Sequence, residues 1–134
     1  MSAKQLGYLD SAVFIYALFP HDERHARCRA LLADLQAGDA EGRLDPLVFH
    51  ELTSILPTLR QFPDRQAFAR YLRGLLCARG VMAEQRDLLL AALLRWTERG
   101  GGFVDAWLAI LALTDGQPVC APDAADLPDV TNAY

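Results

Sequence analysis

Apolar and polar positions fall into short runs and longer stripes along the chain. Gln5 to Leu9 is a brief apolar-rich run, and it predicts a strand that stops at Asp10. Ser11 to Phe19 then reads as a helix or helical turn, closed by Pro20. Asp22 is expected to cap a second helix reaching about Gln36, with Ala26, Ala30, Leu31 and Leu35 as its apolar stripe. The stretch "AGDAEGR" reads as a loop and "RLDP" as a brief strand. Leu47 to about Arg60 has helical periodicity, bent or ended near Pro57. Asp64 starts another helix to about Ala78, and Gly80 to Met82 forms a short strand. Glu84 to Arg99 is a strong helix closed by "GGG", and Phe103 to Leu113 a helix apolar on nearly every face. Pro118 to Cys120 reads as a strand and "DVTN" as a last one.

Short strands alternating with long helices predict an α/β domain. Its core is a short parallel sheet of about four to five strands with helices on both sides. Neither a repeat nor a linker interrupts the pattern, so residues 1–134 are expected to form one domain. Open sheets of this kind bind ligands beyond the carboxyl ends of their strands. Asp10 ends the first strand, and Asp123 follows the strand "PVC".

Two further acids stand out against the apolar pattern. At about 100° per residue, Glu51 falls inside the arc of Leu47, Val48, Leu52, Ile55, Leu56 and Leu59, not on the wet face. Asp105 is the one polar side chain of "FVDAWLAILAL". It is either a first-turn acid serving the helix dipole or a buried site acid. Each of the others has a plain structural reading too. Asp10 suits a turn, Glu51 a half-exposed position with a snorkelling stem, and Asp123 a loop rich in turn residues.

Composition narrows the function classes. Hydrophobic residues make up 52% and charged residues 22% of 134, an ordinary globular balance. No apolar run approaches the roughly 18 residues of a membrane span, and no basic segment precedes a long apolar one, so the expected compartment is the cytoplasm. Cys28, Cys77 and Cys120 lie too far apart for a zinc or disulfide framework. The net charge of −4 excludes a uniformly basic nucleic-acid surface. Lys4 is the only lysine, so nearly all positive charge sits on arginine, whose planar fork suits phosphate.

Four acids from four separate elements could meet at one sheet edge. Carboxylates so grouped repel, and a hard divalent cation such as Mg2+ or Mn2+ resolves the conflict. Such sites handle phosphate esters. The segments "YLDSAVFIYAL", "PLVFHELTSIL", "GGFVDAWLAILAL" and "PVCAPDAADLPDV" resemble, in order, the four signature blocks of the PIN-domain family, and within it the toxin ribonucleases of VapBC-type toxin–antitoxin pairs. The resemblance runs from about Gly7 to Asn132.

That resemblance implies a short parallel sheet between helices and Mg2+- or Mn2+-dependent cleavage of RNA. It places the family's acids on Asp10, Glu51, Asp105 and Asp123, which would hold the metal and carry catalysis. Ser11 matches the hydroxyl residue that supports the first acid. It also implies a homodimer and an antitoxin partner. Ala12, Gly102 and Ala121 stand where the family commonly has an asparagine, an acid and a hydroxyl residue. These departures keep a second reading in view, a catalytically weak PIN-like module that binds an antitoxin or RNA without cutting. Arg24, Arg27, Arg95 and Arg99 are the arginines expected to hold RNA phosphates.

Other constellations are weaker. His21, His25 and Cys28 have the helical spacing of zinc ligands but no fourth partner nearby. His50 beside Glu51 points about 100° away from it on a helix. A haloacid-dehalogenase-like site needs a second aspartate where Ala12 stands, and a receiver domain needs a late lysine that the chain lacks.

Overall fold

Three aspartates precede helices in the first part of the chain: Asp10 and Asp45 follow strands of one sheet, and Asp64 follows a 3-10 turn. A computed structural model describes residues 2–122 and 129–133. It forms two compact units, Met1–Glu84 and Gln85–Tyr134.

The first unit carries strands β1 (Lys4–Tyr8), β2 (Ala40–Leu44) and β3 (Val81–Ala83). They form one parallel sheet in the order β1-β2-β3. Helices α1 (Ser11–Tyr16) and α2 (His25–Ala37) lie between β1 and β2 in the chain. Between β2 and β3 come α3 (Pro46–Ile55), a 3-10 turn (Leu56–Thr58) and α4 (Arg65–Cys77). Phe14, Leu32, Leu35, Leu44, Phe49, Leu52, Leu72 and Leu76 are fully buried between these elements.

β2 begins inside the stretch expected to be a loop and ends in the expected strand "RLDP", at Arg43 and Leu44. Its inward positions are Ala40, Gly42 and Leu44, so small residues hide the alternation that marks a strand. Their smallness is required. A Cβ on Gly42 would stand 2.6 Å from Leu9 Cδ2, and one on Gly80 only 1.8 Å from the Ala40 carbonyl oxygen. Gly80 donates its N–H to Leu35 O at 2.8 Å and accepts from Gly42 N at 2.9 Å, so the end of α2, β2 and the start of β3 meet there.

Helix boundaries moved for local reasons. α1 ends at Tyr16, short of the expected Phe19, and the chain passes through turns closed by Leu18 N→Ile15 O and Phe19 N→Tyr16 O before Pro20. Asp22 does not cap α2. It accepts from Arg24 N at 2.8 Å in a turn, and α2 begins at His25. α3 ends at Ile55 and continues as the 3-10 turn across Pro57, which has no N–H for an α-helical bond.

The second unit pairs α5 (Arg86–Arg99) with α6 (Phe103–Asp115). Gly100 and Gly101 between them have φ of 77° and 75°. Trp96 stands edge-on to Phe103 with centroids 5.8 Å apart and donates its indole N–H to Gly101 O at 3.0 Å. α6 is not buried all round: Phe103, Ala106, Ala109 and Ala112 form its inner side, while Val104, Leu108 and Leu113 are exposed.

The expected sheet of four to five strands is corrected to three among the described residues. "PVC" and "DVTN" make only an isolated bridge between Val119 and Asn132, with Val119 N→Thr131 O and Ala133 N→Val119 O both at 2.8 Å. Proline at position 118 has no ladder donor, and Val119 alone of that triplet is buried. Among the described residues, no helix is long and apolar enough to cross a membrane.

Candidate active site

β1 carries a bulge between Gln5 and Gly7, where Gly7 takes φ 74°. The strand then delivers Asp10 to the N-terminus of α1. Asp10, Asp45 and Asp64 occupy the same position, each the extended residue before a helix. Asp45 accepts from Leu47 N and Asp64 from Ala67 N, both at 2.8 Å, which is the ordinary cap. Asp10 makes no such bond. Its exposed carboxylate instead lies 3.4 Å from the Ser11 hydroxyl.

Ser11 is buried, and its hydroxyl also donates to Glu51 Oε1 on α3. α1 and α3 pack together, so one hydroxyl hydrogen stands between carboxylates from two elements. Glu51 is exposed rather than within the buried arc. The buried side of α3 is Phe49, Leu52 and Thr53, running on to Leu56, and Leu47 is 79% exposed. The helix is therefore rotated from its expected phase, because Phe49 rather than Leu47 enters the core.

α1 has six residues, too few to be stable alone. Side chains from neighbouring helices bind the carbonyls its end leaves open. Tyr71 of α4 donates its hydroxyl to Phe14 O at 2.7 Å, and His25 Nδ1 of α2 lies 3.0 Å from Tyr16 O. Burial pushes the Tyr71 phenol up to about 12.

Asp105 belongs to the second unit. It lies half-buried in the first turn of α6, after the N-cap Gly102, which has no side chain to cap with. That position serves the helix dipole as well as a ligand role. Asp123 lies outside the described residues. Among the described residues, no three His, Cys, Asp or Glu side chains are grouped to hold one metal ion, and this covers His21, His25 and Cys28. Asp10, Glu51 and the Ser11 hydroxyl are nonetheless hard oxygen donors, the type Mg2+ and Mn2+ take.

Of the arginines expected to hold phosphate, three face carboxylates. Arg24 pairs with Asp22 through Nε and Nη2, both at 2.9 Å. Those hydrogen bonds hold the Asp22 carboxyl down at about 2. Arg95, 7% exposed, grips Asp129 at 2.7 and 2.5 Å, and Arg99 stands 3.5 Å from the same carboxylate. The Arg95 bonds lower the Asp129 carboxyl to about 2. Sequence reasoning did not single out Asp129. The usable signal was Arg95 and Arg99 four apart on one helix face with an acid to follow.

Comparison with known families finds a match to the PIN domain over residues 7–125. The chain belongs to the PIN-domain family. Comparison with curated proteins finds no match. The PIN domain is a nuclease-type fold whose members typically bind divalent metal ions, and the parallel sheet flanked by helices agrees with it.

Proposed function

We propose that this PIN-domain protein is a Mg2+- or Mn2+-dependent endoribonuclease, the toxin of a type II toxin–antitoxin pair, acting in the cytoplasm as a homodimer. The observation that supports it best is Asp10. Alone of three equivalent helix-start aspartates in the first unit, it leaves its helix uncapped and joins a second carboxylate through Ser11.

In this reading the two units act as one domain. Asp10 and Glu51 would hold the cation, and Asp105 and Asp123 would supply the further carboxylates of its shell. When bound, the ion supplies positive charge for the phosphodiester and lowers the pKa of an attacking water. Glu51 orients that water. Ser11 keeps the Asp10 and Glu51 carboxylates facing each other. An antitoxin arginine entering the acidic pocket would mimic the ion and silence the enzyme.

The test is Asp10→Asn. The variant should lose Mn2+-dependent RNA cleavage while staying folded. Without metal it should melt at the parent's temperature or higher, because one of two facing charges is gone. Mn2+ should raise the parent's melting temperature and not the variant's. A destabilised variant that still responds to Mn2+ would return Asp10 to a structural role. A parent that ignores Mn2+ would favour the binding module motivated by Ala12, Gly102 and Ala121.

A further inference from the structure

At the far end of α1 from Ser11 the first unit opens into a depression of about 530 Å3, within the range of small-molecule sites. Tyr16, Phe19, His21, Asp22, Arg24 and Gln61 line it. The Arg24 guanidinium carbon lies 3.5 Å over the centroid of the Tyr16 ring. The Asp22 fork fixes the guanidinium there, and Asp22 also accepts from the Arg24 backbone N–H at 2.8 Å. A flexible side chain is thereby held as a plane in advance of any ligand.

The chemistry of this plane is not that of a phosphate site. Asp22 balances the Arg24 charge and would repel an anion. What remains is flat and weakly polar. One face of the guanidinium is against Tyr16, and the side chain is still 55% exposed. Arginine planes and aromatic rings are the surfaces on which unpaired RNA bases stack. Two acceptors stand at the edge of the depression, Asp22 and Gln61. Asp22 Oδ2 takes one bond from Arg24, which leaves capacity for another donor. The Gln61 amide directs its N–H toward Leu18 O at 3.4 Å, and its carbonyl oxygen is an acceptor.

We propose that this depression is a nucleobase subsite that takes one unpaired RNA base bearing an exocyclic amino group, stacked on the Arg24 plane. Ser11 and Tyr16 are about 8 Å apart along the axis of α1, at 1.5 Å per residue. One short oligonucleotide can therefore span the Ser11 carboxylate pair and the subsite. The proposal rests on the ribonuclease reading and adds to it a reason why one single-stranded segment is chosen over another.

The experiment is a metal-free NMR titration of the full chain with cytidine, uridine and inorganic phosphate. Cytidine should shift the Gln61 side-chain amide, the Arg24 Nε–H and the backbone of residues 16–24, with uridine binding more weakly. Arg24→Ala should weaken cytidine binding at least about fivefold, the lower end of what one stacked base contributes. Gln61→Ala should narrow the difference between cytidine and uridine, and it leaves α2 untouched should Arg24→Ala disturb that helix. Asp10→Asn should bind cytidine as the parent does, so failure here and failure of the cleavage reading remain distinguishable. The proposal is overturned if cytidine leaves these resonances unmoved at millimolar concentration, if uridine binds as well as cytidine, or if phosphate alone reproduces the shifts.

Discussion

Ser11 carries a single hydroxyl hydrogen, and two carboxylates face it. It can satisfy only one of them fully at a time, so it holds the pair without neutralising it. Ser11→Ala removes this tether while keeping a small side chain in a buried position. The variant should fold, and the Mn2+ concentration giving half the melting-temperature rise should increase about 10- to 100-fold, as for other groups that orient metal ligands. Thermal denaturation over a Mn2+ series checks this; an unchanged midpoint would leave Ser11 a packing residue. The sequence made Asp10 and Ser11 legible as an acid and its neighbour. Helix-start position alone does not separate Asp10 from Asp45 and Asp64; the resemblance of "YLDSAVFIYAL" singled Asp10 out, and its missing cap bond and Ser11 contact set it apart physically. Glu51 was legible as a residue of interest for a reason that fails. Leu47 and Phe49 are both apolar, and the wheel cannot say which one the core accepts.

At the scale of elements, α1 depends on side chains from elsewhere to finish it. Tyr71→Phe keeps the ring and deletes the bond to Phe14 O. The loss should cost about 1–3 kcal/mol, seen as a lower urea midpoint with an unchanged slope. The junction of α5 with the terminal segment should report pH instead. The folded Asp129 carboxyl titrates at about 2, below its ordinary 3.8, because Arg95 bonds its charged form. The ionised form therefore favours the folded state. Its stabilisation is complete above about pH 4 and is lost as pH falls toward 2. Asp129→Asn should melt below the parent at pH 7, and the gap should close across that window in calorimetric scans; a gap that persists at pH 2 would point to lost packing. Most helices were legible from their stripes. β2 was legible only at its end, Arg43 and Leu44, because Ala40 and Gly42 fill its earlier inward positions where small residues hide the alternation.

Across the whole molecule, the order of strands and helices was the most readable property, since it follows from periodicity summed over long windows. The strand count was less readable. A triplet such as "PVC" has the right composition for a strand, but its ladder depends on a partner that the sequence does not name. The arginines show the same limit. Their number is plain, yet Arg24 and Arg95 are committed to Asp22 and Asp129.

The stretch between the 3-10 turn and α4 has a consequence for how the chain comes apart. Arg60 is exposed there, outside helix and strand, with Leu59 N→Leu56 O and Phe62 N→Leu59 O as backbone bonds at 3.1 and 3.4 Å. Other arginines lie within helices, in strand β2 (Arg43), in the Asp22 fork just before α2 (Arg24) or, like Arg79, beside a wedged glycine. A protease that cuts after arginine needs a segment it can draw out straight, and this is the easiest to supply. Brief trypsin digestion should therefore nick first after Arg60, giving residues 1–60 and 61–134 by mass spectrometry. The two pieces should stay together in native gels, because the buried contacts of Phe49 and Leu52 with their surroundings do not pass through that bond. The first cut would then part the helix bearing Glu51 from the one bearing Tyr71 in covalent terms while leaving them packed in one core.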